Sequence, residues 1–314
     1  NAYMKFAKEL NLLPDSILSV LLLEKSGFFC SVGWFNNFIE TVADFNGWDV
    51  RVLYHDKYCD IILVSVFSPG FIRRINSLTN YYSPLFTMFF GEKRPDKSDV
   101  VDFFYCLRKE VTWDVIELRP LSHDECLFIE ECASRSGLFS FKYVCFSNWY
   151  IHLNGRSYDE YYHGLPSIIR HTITRKGKKF FSIKGARVDI IKTEQGSDKG
   201  LMDYDAVYKS SWKCDEPYPD FMRGLIRHGI SNGIGRLGVA YIDDKAIAAQ
   251  YWIVSDATAY IFKLAYDENY KNYSVGTLLT AKMMEFVIDH DKVKIVDFLT
   301  GDDAYKKDWM NHKQ

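Results

Sequence analysis

Apolar positions along the chain change period several times, and each change predicts an element. Val50-Arg51-Val52-Leu53-Tyr54 and Cys59-Asp60-Ile61-Ile62-Leu63-Val64-Ser65-Val66 flank the polar turn His55-Asp56-Lys57. Both runs are rich in β-branched and aromatic residues, so they predict an antiparallel strand pair. The same grammar recurs where Gly238-Val239-Ala240-Tyr241-Ile242 leads through Asp243-Asp244-Lys245 into residues 246–254. A helical pattern precedes each pair, over residues 34–45 and 220–231. A repeat that halves the chain predicts two domains of similar fold. The join is placed at Leu153-Asn154-Gly155-Arg156-Ser157, where a strand-like aromatic run gives way to turn residues. That gives domains of residues 3–154 and 155–314.

After its hairpin the first half predicts a helix at 99–108, a strand at 113–118 and a helix at 124–134. The second half predicts a strand over 257–266. Next comes a helix from Ser274, on the recurrence of Val275, Leu279, Met283, Phe286 and Val287, and then a strand over 293–299. Strand, helix, strand implies a parallel pair with a right-handed crossover, and ligand crevices open at the carboxyl ends of such strands. Residues after Tyr266 and residues after Leu299 therefore share one opening. Tyr270-Lys271-Asn272-Tyr273-Ser274-Val275-Gly276-Thr277 is the turn into the helix. Free N–H groups of a first helical turn favour an anion, and small residues let backbone approach it. The same pattern also fits an ordinary surface turn with Ser274 as N-cap.

Composition narrows the partners. At 314 residues with 47% hydrophobic content, each half can bury a core. A formal net charge of −2 gives no global reason to bind DNA and argues against tRNA. One local exception is the basic run over 165–181, with Arg170, His171, Arg175, Lys176, Lys178 and Lys179. It reads either as a solvated helix face or as a patch that holds a phosphorylated substrate. Seven scattered cysteines without a Cys-x-x-Cys pair predict reduced thiols, mostly in the core, and no metal site is expected. The apolar run at 17–23 is too short to span a bilayer and has no signal-peptide layout, which predicts a soluble, cytoplasmic protein.

Several segments together resemble the GNAT acyltransferase superfamily, and within it the tandem-GNAT proteins of the CelD/BcsL type associated with exopolysaccharide synthesis. They are Tyr158 and Tyr161 with Leu165-Pro166-Ser167 and Arg170, Ser211-Trp212-Lys213, the strand pair over 236–254, Phe262-Lys263-Leu264-Ala265-Tyr266-Asp267, the turn through Leu279, and residues 297–309. The first half is similar through Asn80-Tyr81-Tyr82-Ser83-Pro84-Leu85. The resemblance implies an α/β (α+β) fold of two tandem GNAT-like domains. Each is a mixed, mostly antiparallel sheet flanked by helices, with a central parallel strand pair, and the first domain is degenerate.

It also implies an acyl-CoA donor, acetyl-CoA in the simplest case. The donor's pyrophosphate would sit on Lys271, Asn272, Tyr273, Ser274, Val275, Gly276 and Thr277, and its carbonyl against the backbone of Leu264, Ala265 and Tyr266. Here Lys271 stands where the superfamily has Arg or Gln, and Ser274 replaces its middle glycine. Asp302 and Asp303 are the candidate general bases and Tyr305 the candidate acid for the leaving thiolate. Arg170, Arg175, Trp212 and Lys263 are candidate substrate-binding residues. The implied reaction is N-acylation of an amino sugar or envelope-polysaccharide precursor. Two other functions are consistent with the resemblance: a Fem-like transferase that uses aminoacyl-tRNA, and a catalytically silent GNAT pair that binds a partner.

Overall fold

The structure, a computed structural model, describes residues 3–301 and 303–313. The chain divides into two compact units between Cys145 and Phe146.

The first unit holds a five-stranded sheet in chain order: β1 (Met4–Ala7), β2 (Asp49–His55), β3 (Ile62–Ser68), β4 (Arg74–Ser77) and β5 (Val115–Glu117). Helices α1 (Asp15–Leu21), α2 (Val32–Phe38) and α3 (Asp44–Asn46) lie between β1 and β2, with a π-helical turn over Ile39–Ala43 joining the last two. Helix α4 (Lys97–Glu110) connects β4 to its parallel neighbour β5, and α5 (His123–Arg135) follows. Trp34, Phe35, Phe38, Phe86 and Phe103 are buried in this core. Beyond the short β4–β5 ladder the two segments stay stitched together. Ser77 Oγ and Thr79 Oγ1 donate to the Arg119 carbonyl at 2.8 and 2.9 Å, and Arg119 N–H donates back to Ser77 Oγ at 3.0 Å.

In the second unit the elements are β6 (Asn148–His152), α6 (Tyr158–Gly164), α7 (Ser167–Phe181), β7 (Arg187–Ile191), α8 (Ser197–Lys209) and α9 (Pro219–Ser231). They continue with β8 (Gly235–Ile242), β9 (Lys245–Ser255), β10 (Thr258–Tyr266), α10 (Val275–Glu285), β11 (Ile295–Thr300) and β12 (His312–Lys313). The seven strands lie in the order β12-β6-β11-β10-β9-β8-β7, with β10 and β11 the one parallel pair. Both sheets are thus mixed and mostly antiparallel, with helices on their flanks.

The predicted elements are present, with shifts that have local causes. Strand β6, which the sequence reading leaves in the first domain, lies in the second unit's sheet, because Ile151 and Tyr150 find their partners in Val296 and Asp297 of β11. Beyond the basic run, which forms α7, the chain enters strand β7, where Arg187 pairs with Asp189 and lies over the Tyr241 ring. After β11 the chain makes a 3-10 turn over Ala304–Asp308. All seven cysteines are free, but only Cys30 and Cys132 are buried; Cys145 and Cys214 are exposed, so the expectation of mostly core thiols is corrected. Among the described residues no helix is long and apolar enough to cross a membrane, and no His, Cys, Asp and Glu side chains gather as they would around a metal ion.

Candidate active site

The central parallel pair forks. β10 and β11 are paired only from Thr258 to Tyr260 and from Ile295 to Asp297, although β10 runs on to Tyr266 and β11 to Thr300. Two irregularities open the fork. On β10 the register with β9 shifts between Ile261 and Lys263. On β11 the Asp297 carboxylate accepts the Leu299 N–H at 2.6 Å and Leu299 takes a left-handed φ of 59°. Past the fork, Leu264, Ala265 and Tyr266 stay paired with β9, but the opposite, β11-facing edge of β10 pairs with no strand among the described residues, so the backbone groups on that edge are available to water or a ligand. Burial raises the Asp297 carboxyl above the usual carboxylate range, and the Leu299 N–H opposes that shift.

One arm of the fork ends in the predicted turn. Asp267 is buried; its carboxylate accepts the Asn269 N–H at 2.9 Å and pairs with Lys245 at 3.2 Å. Lys271, Asn272 and Tyr273 complete a 3-10 turn over Glu268–Tyr273. Ser274 follows at the N-cap position with φ 52° and ψ 40°, but its side chain makes no capping bond. A left-handed residue explains why a glycine suits this position: a Cβ there costs about 1 kcal/mol. The first intrahelical bond of α10 runs from Leu278 N–H to Ser274 O. The N–H groups of Val275, Gly276 and Thr277 are therefore left for an external acceptor. No acidic residue lies in this first turn. Gly276 is tight for another reason, since a Cβ would stand 3.3 Å from Cδ1 of Tyr266.

A buried polar network fixes the helix start. Gln250 on β9 donates to the Gly276 carbonyl at 3.1 Å and to Thr280 Oγ1 at 2.8 Å, and accepts from Trp252 Nε1 at 3.0 Å. Thr280 Oγ1 also donates to the Gly276 carbonyl at 3.0 Å. The sequence signal for this network was a lone amide inside the apolar run 246–254.

The basic helix α7 meets the same turn. Lys176 Nζ donates to the Asn272 carbonyl at 2.6 Å, and Lys179 Nζ lies 5.3 Å from the centre of the Tyr273 ring. Lys176, Lys179 and the exposed Lys271 thus ring the helix start with cations. Arg170 is used differently: its Nε donates to the Leu165 carbonyl and closes the corner between α6 and α7. Arg175 is exposed.

The other arm carries the acid and base candidates. Asp302 lies outside the described residues. Asp303 begins the 3-10 turn, and its carboxylate stands 3.4 Å from Lys306 Nζ. Lys306 is buried; it donates to the Thr300 carbonyl at 2.8 Å and more weakly to that of Gly301 at 3.4 Å, so it ties the turn to the end of β11. The Tyr305 ring is half-exposed and packs edge-on against Phe298. Desolvation, with the Asp303 charge beside it, pushes its hydroxyl up to about 12. The Trp212 ring lies 4.5 Å from that of Tyr266 at the end of β10, and Lys263 is paired with Glu216 at 2.8 Å in a largely buried bridge. Two motif residues have structural roles: the Tyr161 hydroxyl donates to the Trp309 carbonyl at 2.9 Å inside the core.

Comparison with known proteins agrees with this geometry. Residues 168–307 match a family model described as "Acetyltransferase (GNAT) domain". No curated protein matches the sequence. Among solved structures the chain is similar to FemX, with a TM-score of 0.63 and 11% identity over 96% of this chain and 94% of that one. It is similar to a conserved protein of unknown function from Bacteroides thetaiotaomicron, with a TM-score of 0.58 and 9% identity over 99% and 98% of the two chains. The L-PGS of Bacillus licheniformis gives a TM-score of 0.52 at 10% identity over 94% and 77%. At these identities the likeness is one of fold. The forked strand pair, the helix start beside it and the family match coincide in the second unit, which thus carries a GNAT acetyltransferase-like domain across residues 168–307.

Proposed function

We propose that this protein is an acyl-CoA-dependent N-acyltransferase of the CelD/BcsL type, which moves an acyl group, acetyl in the simplest case, onto an amino group of a sugar or envelope-polysaccharide precursor. The observation that carries this reading is the open edge of β10 beside a helix start that is free of acidic residues and ringed by Lys176, Lys179 and Lys271. The donor's pyrophosphate would take the N–H groups of Val275, Gly276 and Thr277, and its acyl arm would lie in the fork against Leu264, Ala265 and Tyr266. The acceptor amine attacks the thioester carbonyl directly; the C–N bond forms, the C–S bond breaks, and the amine proton passes to Asp302 or Asp303. Tyr305, protonated at neutral pH as any tyrosine is, supplies the proton to the departing thiolate.

A second donor is favoured by one observation: Arg175, Lys178 and Lys179 leave an exposed basic strip on α7, as a transferase that takes its acyl group from aminoacyl-tRNA would need. Thermal-shift titration separates the two. Acetyl-CoA and CoA should each raise the melting temperature with a mass-action concentration dependence. Stabilisation by tRNA with no response to either CoA species at millimolar concentration would overturn the acyl-CoA reading.

A further inference from the structure

The connection between α8 and α9, residues 210–218, brings to the fork an ammonium group that the acyl-transfer scheme leaves unused. Lys213 is half-buried, and its Nζ lies 5.8 Å from the centre of the Tyr208 ring and 5.6 Å from that of Trp212. The neighbouring cations are satisfied: Lys263, over the same Tyr208 ring at 5.5 Å, is bridged to Glu216, and Lys306 has Asp303 and two carbonyls. Lys213 Nζ forms no hydrogen bond or ion pair with any described residue. Burial lowers it to about 8, with Lys263 and Lys306 adding to the shift and Asp303 opposing it. A half-buried cation beside two rings, with like charges nearby, is costly unless a counter-charge arrives. Its surroundings place it at the reacting end: Lys263 belongs to one arm of the fork, Asp303 and Lys306 to the other, and Trp212 covers Tyr266.

We infer that Lys213 receives an anionic group carried by the acceptor, so that the acceptor class is an amine bearing a carboxylate or phosphate close to its nucleophilic nitrogen. This rests on the proposal that the fork is where acyl transfer occurs. The Tyr208 and Trp212 rings suit such a molecule, because they shield part of the charge pair from water and leave the amine directed at the open edge of β10.

The test is competitive labelling of the full chain with acetic anhydride at pH 8, read lysine by lysine by mass spectrometry, with glutarate and methyl phosphate as probes. The expected result is labelling of Lys213 slowed about fivefold at a probe concentration roughly four times its Kd, with exposed Lys209 unchanged. The probe that protects identifies carboxylate or phosphate as the partner, and Lys271 reports separately on the helix-start site. The K213R variant should keep anion-dependent thermal stabilisation and K213M should lose it, while both keep the response to CoA. Labelling of Lys213 that neither probe slows would overturn the inference. So would a K213M variant that no longer responds to CoA, since Lys213 would then belong to the donor. If CoA has no effect on the wild-type protein while a probe still protects Lys213, the anion site stands and the acyl-CoA reading falls.

Discussion

Four consecutive strands of each unit follow the same order, and the two sets differ at the ends of their parallel pairs. Each sheet grows by an antiparallel hairpin, a third strand and a helical crossover to a parallel fourth: β2-β3-β4-β5 in the first and β8-β9-β10-β11 in the second. In the second unit the parallel pair forks, and a tight turn delivers the chain into α10. In the first unit the equivalent gap is closed by Ser77, Thr79 and Arg119, and the connection to α4 is the long segment 78–96. Helix α4 then opens with Asp96 at its N-cap and Asp99 in its first turn, charges that repel an anion where α10 offers bare N–H groups. A shared topology therefore supplies the scaffold for an anion site, and whether the site exists is decided by a few side chains at the strand ends.

The comparison predicts where substitutions will matter. If the fork is the catalytic unit, Tyr305→Phe should lower kcat by about 10²–10⁴, the usual contribution of a positioned acid, while the CoA-induced thermal shift persists. An unchanged kcat would remove Tyr305 from the mechanism. Gly276→Val places branched carbon against Tyr266 and should weaken CoA by about 10- to 100-fold, or 1.4 kcal/mol per decade, measured by calorimetric titration. Gln250→Leu strands the Trp252 N–H in the core; urea unfolding should show a loss of about 1–3 kcal/mol, concentrated in the second unit's transition. The smallest effect tests the αL position: Ser274→Gly should stabilise by up to about 1 kcal/mol without weakening CoA. A loss of CoA affinity there would mean that the serine hydroxyl itself binds the donor.

Period and turn chemistry carried most of this architecture. The hairpins, the helices before them and the strand-helix-strand unit around residue 274 all lie where their apolar patterns put them, because each buries one face against a single sheet. Pattern alone could not supply what long-range pairing decides. β6 is amphipathic enough to end one domain or begin the next, and only its partner in β11 settles the matter. β7 was not predicted, because Arg187 and Asp189 lend it a charged appearance, although the two pair with each other two residues apart on the strand. The candidate site was legible as a turn and an opposing loop. Its rigidity was not, because Gln250, Thr280 and Lys306 act through carbonyls, which leave no trace in residue type.

The placement of β6 bears on how the two halves can be separated. This strand precedes the obvious turn at Asn154-Gly155, yet it runs between β11 and β12 as a splint along the outer arm of the fork. A truncation beginning at the turn would strip the splint, leave β11 as a bare sheet edge and let the arm that bears Tyr305 peel outward. A second half that keeps its sheet intact must therefore begin upstream of Asn148, so the cut that looks cleanest in the sequence is the one that bares β11.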